Sequence, residues 1–268
     1  MDNFYWKEQK GLKLLVSRHL EAAGFVNGFS TRLGGVSPFP KDDLNLAGYG
    51  EDTDENIEEN RRRFLELFDN GYSISTVWQI HGDTVKSVRS EEEALATEDR
   101  ADALVSDLED LLIGVKTADC VPLLIGDPET GAFAAVHAGW RGTLQRIAEK
   151  AVARLSSEFG SDPSRLVAAI GPAACGRNYE VGPEVVEAFG EEFSTGGKYF
   201  SPTAGGHALV DLHLANKDQL VRAGIAEDAV SIAPYCTMER TDLFFSYRKE
   251  KSLHGRTGRL LSVIGKAL

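Results

Sequence analysis

Cysteine is scarce in this chain, and its number is odd: Cys120, Cys175 and Cys236 are the only three in 268 residues. That excludes a disulfide framework, so each cysteine belongs either to packing or to chemistry. Long apolar runs are missing too. The opening M-D-N-F-Y-W-K-E-Q-K contains no apolar h-region, and no later run approaches the length of a bilayer-spanning helix; a cytoplasmic protein with no membrane partner is expected. Positive charge is in deficit, with 29 Lys and Arg against 41 Asp and Glu and a net charge of −12. This argues against sequence-independent nucleic-acid binding, which depends on cations that neutralise phosphates. A few local arginines can still hold a small anion. No internal repeat and no Pro/Ser/Gly-rich linker interrupts the chain, so residues 1–268 are expected to form a single domain around one large core.

What the chain does have is concentrated in Ala132 to Thr143, A-F-A-A-V-H-A-G-W-R-G-T. An apolar strand ends in His137, the chain turns on Gly139 and Gly142, and apolar residues then recur at helical spacing from Leu144 to Leu155. The helix is expected over 143–159, with Arg141 beside its N-terminus, where unpaired backbone N–H groups favour an anion. Upstream, Leu111 to Ile125 reads as two strands joined through Thr117-Ala118-Asp119-Cys120. The turn at Asp127 to Gly131 makes the second of them the hairpin partner of the His137 strand, which brings Cys120 close to His137. Further strands are expected over 24–32, 75–80, 84–88, 103–106, 165–170, 230–236, 243–247 and 260–264. The Gly82-Asp83 pair signals a hairpin between the runs 75–80 and 84–88. A loop is expected from Pro38 to Gly50. Helices are expected after an Asp52–Glu55 capping box, from Pro183, and over 211–223. Strands outnumber helices, and the helices fall between groups of strands. The expected fold class is therefore α/β with α+β-like mixed sheets, layered, rather than a doubly wound parallel sheet.

Of six histidines, only His81 and His137 combine a strand-like approach with a glycine close behind. With Cys120 they make three residues spaced too widely for a zinc finger but suited to converge from separate strands, as the ligands of a catalytic metal do. A Cys–His dyad, with Cys120 as nucleophile and His137 as base, fits the same residues.

Seven segments in order resemble the YfiH/YlmD-like family, known both as a multicopper polyphenol oxidase or laccase domain and as a purine nucleoside phosphorylase family. They are G-F-S-T-R-L-G-G-V-S (28–37), Q-I-H-G (79–82), T-A-D-C-V-P (117–122), H-A-G-W-R-G-T (137–143), I-G-P (170–172), Y-E-V-G (179–182) and F-F-S-Y-R (244–248), the last followed by Gly255-Arg256. The resemblance implies a catalytic zinc held by His81, Cys120 and His137, on a layered sandwich akin to cytotoxic necrotizing factor-type cysteine hydrolases. It also implies phosphorolysis of adenosine, inosine, guanosine and methylthioadenosine, with adenosine deamination. Editing of peptidoglycan precursors by amide hydrolysis and copper-dependent phenol oxidation are further activities of the family.

The residues bear on these options separately. A four-copper oxidase needs about ten histidines and His-X-His pairs for its cluster; this chain has six histidines and no such pair, although one Cu2+ could occupy the His/Cys/His set. The His-X-Glu and Pro-Cys-X-X-Cys signature of cytidine-type deaminases is absent as well. Phosphorolysis needs an anion anchor, for which Arg141 and Arg32 are the first choices, with Arg248 and Arg256 behind them and Asn45 as a ligand contact or turn former. Asp119 is expected to support the site from behind, Cys175 to pack, and Trp140 or Phe245 to stack on a purine. The expected partners are a purine nucleoside and phosphate, bound by a monomer or homodimer. A non-catalytic, zinc-stabilised binding domain is the alternative to an enzyme.

Overall fold

The computed structural model describes residues 3–39, 42–47, 52–68, 71–194 and 196–267. The chain opens with β1 (Phe4–Gln9), β2 (Leu12–Ser17), α1 (Arg18–Ala22) and β3 (Phe25–Ser30), followed by α2 (Asp54–Leu65). Next come β4 (Ser73–Ser75), β5 (Val85–Val88), α3 (Glu91–Leu95), β6 (Ala103–Ser106), β7 (Leu111–Thr117), β8 (Val121–Gly126) and β9 (Phe133–Ala138). Then α4 (Trp140–Leu144), α5 (Ile147–Phe159), β10 (Val167–Ile170), β11 (Glu180–Val181), α6 (Pro183–Glu192), β12 (Phe200–Pro202) and β13 (Ala208–Val210) follow. The last elements are α7 (Leu212–Arg222), β14 (Val230–Ile232), α8 (Tyr247–His254) and β15 (Leu260–Lys266).

Two six-stranded sheets form the body, in the orders β1-β2-β3-β15-β7-β4 and β14-β10-β8-β9-β6-β5, beside a small sheet β11-β13-β12. Both large sheets are mixed: most neighbours are antiparallel, and β4–β7, β10–β14 and β5–β6 are parallel. The side-chain period of two sorts the residues into layers. Phe133 and Ala135 of β9, Leu124 of β8 and Ile113 of β7 meet between the two sheets. Ala134, Val136, Leu123 and Ile125 face outward onto α5, α6 and α7. On the other side Leu14, Leu112 and Val263 pack against Phe64 of α2. The order of layers is thus helix, sheet, sheet, helix, as the mixed α/β reading requires. It also explains why β8 and β9 read as unbroken apolar runs: both their faces are covered.

Several local expectations change. The run 75–80 and the run 84–88 form no hairpin, because β4 pairs with β7 in the first sheet and β5 with β6 in the second. The helix expected over 143–159 is two helices, broken at Arg146, which takes a left-handed φ of 60°. The capping box moves one residue on: Thr53 caps α2 through Asn56 N–H, and Asp52 accepts from Thr53 N–H instead. Residues 243–247 are not a strand. Phe244 and Phe245 turn inward and Ser246 caps α8, its hydroxyl accepting from Lys249 N–H. In the loop expected from Pro38 to Gly50, residues 40–41 and 48–50 lie outside the described residues.

Candidate metal centre and cavity

The β8–β9 register, Pro122 opposite His137, sets His137 at the end of its strand and Cys120 one residue beyond the end of β8. By strand parity His137 points to the same side as Phe133 and Ala135, into the gap between the sheets. His81 arrives from the segment before β5. Ligand atoms of His81, Cys120 and His137 lie within 4.8 Å of one another, and the two imidazoles meet edge to face at 4.9 Å and 86°. His137 is buried, Cys120 partly exposed and His81 exposed, so the cluster opens to solvent on one side.

One residue outside the expected ligand set organises this cluster. Asp102, fully buried just before β6, receives His137 Nδ1 on Oδ1 at 2.8 Å. The same Oδ1 accepts from His81 N–H at 2.9 Å, while Oδ2 accepts from Ile80 and Gly82 N–H at 3.2 and 2.7 Å. Fixing Nδ1 leaves Nε2 of His137 for the cluster, the usual second-layer arrangement of a metal-bound histidine. Holding three successive N–H groups also keeps His81 in its left-handed conformation, φ 58°, which a non-glycine residue adopts at a cost. The signal for Asp102 was present in the sequence: a lone acid inside the apolar run 101–105 is almost never buried without partners.

The electrostatics agree with a donor set ready for a cation. Burial alone would raise the Cys120 thiol, but the charge of His137 and hydrogen bonds from His137 and His81 bring it down to about 6. Burial alone would lower His137, yet the Cys120 thiolate and Asp102 hold it up to about 9. Burial works against ionised Asp102 as well, and His137 with the Gly82 and Ile80 N–H groups more than offsets it, so its pKa falls below the usual carboxylate range. One thiolate and two imidazoles form a soft-to-borderline set that suits Zn2+ or a single copper. Gly139 keeps the place open: a Cβ there would sit 3.1 Å from Cys120 Sγ and 3.4 Å from His81 Cδ2.

The cluster lies in a cavity of about 660 Å³, within the range of small-molecule sites. Trp78, Trp140, Tyr179 and Tyr247 bring aromatic faces to it, and Arg61, Lys116, Arg141, Arg248 and Arg259 bring cations against only Glu98 and Asp119. In a chain of net charge −12 this is a marked local reversal of sign. Arg141 stacks on Trp140 at 4.3 Å. Arg248 lies over Tyr179 at 4.9 Å and donates to the Glu180 carbonyl at 2.8 Å. Burial, then the negative charge of Cys120, pushes the Tyr179 phenol up to about 12, leaving it a neutral donor.

Other expected site residues belong to the scaffold. Arg32 is buried, donating to both oxygens of Asp43 and to Glu250 and the Thr241 carbonyl, with Phe245 stacked on its guanidinium at 4.6 Å. Four of its five N–H donors are held within the protein and it does not line the cavity, and Phe245, buried under it, has no face for a purine. Asn45 is buried as well, and its Oδ1 accepts from Ala47 and Arg259 N–H. Arg256 stacks on Phe39, away from the cavity lining. Asp119 sits in the β7–β8 turn at φ 84°, where it accepts from the Thr237 and Ser246 hydroxyls and from Arg248 N–H. It therefore ties the 237–248 segment to the turn that presents Cys120. The anchor expected at a long helix N-terminus is also absent, since α4 is a single short turn capped by Gly139.

A family model described as multi-copper polyphenol oxidoreductase laccase matches residues 26–267. A protein called purine nucleoside phosphorylase YfiH from Escherichia coli is 36% identical over 255 residues, covering 94% of this chain and 98% of its own. A purine nucleoside phosphorylase from Deinococcus radiodurans is 35% identical over 258 residues, covering 95% and 93%. Among solved structures, YlmD from Geobacillus stearothermophilus superposes with a TM-score of 0.89 at 30% identity over the full length of both chains. Despite the family's description, the described residues bring together only one cluster containing histidine. By motif order, fold and sequence match, the chain belongs to the laccase-domain family of YfiH and YlmD, whose relatives carry the name purine nucleoside phosphorylase.

Proposed function

We propose that this protein is a zinc-dependent phosphorylase of purine nucleosides, with adenosine, inosine, guanosine and methylthioadenosine as substrates and adenosine deamination as a side activity. One observation carries the reading: a single cavity joins the His81/Cys120/His137 cluster to aromatic faces and to five cationic side chains. Those are the three requirements of the reaction, which forms a bond from a phosphate oxygen to ribose C1′ and breaks the bond from C1′ to the purine nitrogen.

When bound, the metal supplies Lewis acidity and a water of lowered pKa. The chain's own residues do the rest. Trp78, more than half exposed at 56%, offers a flat face for a purine, and Trp140, which carries Arg141 on one face, lines the same cavity. Arg141, carried on the short α4 and stacked on its neighbour's ring, meets phosphate as a planar fork. Arg248 keeps one nitrogen on the Glu180 carbonyl and has others to offer. Neutral Tyr179 donates a proton in hydrogen bonding to the sugar or the departing base. Asp102 holds the His137 tautomer throughout.

Zinc-loaded protein is expected to release hypoxanthine from inosine only when phosphate is present, as read by chromatography, and Cys120→Ala is expected to abolish the release. Release indifferent to phosphate, or none from clean protein, overturns the reading. A second reading rests on the Cys120 thiol, brought down to about 6 beside a charged imidazole: an amide hydrolase of peptidoglycan precursors with Cys120 as nucleophile. A covalent Cys120 adduct in metal-free, active protein would favour it.

A further inference from the structure

Among the described residues, one other group of side chains besides the cavity's candidate metal cluster converges with ligand atoms. Cys175 Sγ, Cys236 Sγ and a Glu239 carboxylate oxygen all lie within 4.8 Å of one another. No local pattern joins Cys175, expected to pack, to a cysteine 61 positions away. The structure joins them through a parallel bridge between Ala173 and Cys236, which sets two turns side by side. In the first, Asn178 and Tyr179 N–H both return to the Cys175 carbonyl; in the second, Glu239 and Arg240 N–H return to the Cys236 carbonyl. Each turn therefore presents a pair of side chains three residues apart, Cys175 with Asn178 and Cys236 with Glu239, toward the other.

We infer that Cys175, Cys236 and Glu239 form a second metal site, for a thiophilic d10 cation such as Zn2+. The surroundings of the sulfurs support this. Cys175 N–H donates to Cys236 Sγ at 3.2 Å, and Asn178 Nδ2, 3.2 Å from Cys175 Sγ and 3.6 Å from Cys236 Sγ, has one hydrogen for the sulfurs once the other is on Glu239. N–H donors aimed at sulfur are what thiolate ligands keep when they bind metal. Asn178 and Arg177 both donate to Glu239 as well, at 2.7 and 3.1 Å, fixing the carboxylate beside the sulfurs and balancing part of the negative charge. Two sulfurs and one oxygen select a soft or borderline ion over Mg2+ or Ca2+. Cys236 is buried while Cys175 is partly exposed and Glu239 exposed, so a cation has a way in from solvent.

An ion here would clamp two segments that both bear on the cavity. The first leads directly to Tyr179 in the cavity wall, and the second passes through Thr237, which donates to Asp119 at 2.6 Å beside Cys120. The site is thus a brace for the cavity wall, and it does not depend on which reaction the cavity performs.

The test counts zinc. Full-length protein, stripped of metal and held reduced under anaerobic conditions, is titrated with Zn2+ against a chromophoric chelator. Two equivalents are expected for the wild type and one for Cys175→Ser; Glu239→Gln, at an exposed position, should weaken the second equivalent at least tenfold without disturbing the fold. With Co2+ in place of Zn2+, the sulfur-to-metal absorption should persist in Cys120→Ser and vanish in Cys120→Ser/Cys175→Ser. Zinc should also slow iodoacetamide labelling of Cys175 and Cys236. A zinc stoichiometry unchanged by Cys175→Ser, or a Cys175–Cys236 disulfide that persists in reductant, overturns the inference. None of these outcomes bears on whether inosine is cleaved.

Discussion

Replacing Asp102 with asparagine tests the organisation of the candidate metal centre at its root. The carboxylate serves two pairs of donors: His81 N–H and His137 Nδ1 on one oxygen, Ile80 and Gly82 N–H on the other. An amide has one oxygen and must turn its NH2 toward one pair. If it faces Ile80 and Gly82, two N–H groups lose their acceptor. If it faces His81 and His137, one N–H is lost and Nδ1 must accept, which moves the proton to Nε2, the nitrogen the metal needs. Hydrogen bonds to a charged group contribute about 1.5–3 kcal/mol each, so losing two costs about 3–6 kcal/mol. That is a large part of the 5–15 kcal/mol typical of a whole domain. Urea unfolding of metal-free protein should show this loss. Competitive Zn2+ titration of the folded fraction should show affinity reduced about 10–100-fold, the usual effect of removing such a support. Asp102→Asn protein within about 1 kcal/mol of wild type, with unchanged zinc affinity, would refute the assignment.

Other outcomes follow from particular residues. Arg32→Ala should cost about 3–5 kcal/mol, because it leaves Asp43 and Glu250 charged and buried without their partner, yet leave the KM for inosine of the folded fraction unchanged; a raised KM with intact stability would restore Arg32 to the site. Gly35→Ala should lower Tm sharply, since its Cβ would lie 2.0 Å from the Asp43 carbonyl oxygen; an unchanged Tm would contradict the packing there. In metal-free protein, alkylation of Cys120 should rise through a midpoint near pH 6, where its thiolate forms, and be blocked by Zn2+; a midpoint near pH 9 would contradict the thiolate–imidazolium pair. His213, buried and hydrogen-bonded to the Gly171 carbonyl, has its pKa lowered from 6.5, chiefly by burial. The unfolded chain binds the extra proton, so stability should fall as pH drops below about 6.5, by up to about 1.4 kcal/mol per unit for this group until its folded pKa is reached. His213→Gln should flatten that part of the stability profile, and an equally steep profile in the variant would exclude His213 as its source.

How far the sequence could be read depended on how local each feature is. The hairpin of β8 and β9 was legible because a turn signal lies between two apolar runs, and counting from it brought Cys120 to His137. The layered mixed sheets followed from the order of strands and helices. The apparent hairpin at 75–88 misled because pairing partners lie in other parts of the chain: β4 and β5 belong to different sheets, and only long-range register decides that. Arg32 misled for a related reason. An arginine beside Gly34-Gly35 resembles an anion fork, but it is paired with Asp43, 11 positions on, and with Glu250, 218 positions away, and no local pattern shows either contact. Asp102 and the Cys175–Cys236 pair were invisible as constellations for the same reason, although each residue stands out in composition.

In the proposed reaction the cavity directs phosphate, rather than water, to ribose C1′. Running the zinc-loaded enzyme on inosine and phosphate in H2 18O and weighing the sugar product tests it most directly. Phosphorolysis gives ribose 1-phosphate without heavy oxygen, because the new bond to C1′ carries a phosphate oxygen, and Cys120→Ala is expected to give no product. Free ribose bearing 18O at C1′ would contradict it and assign the cavity to hydrolysis.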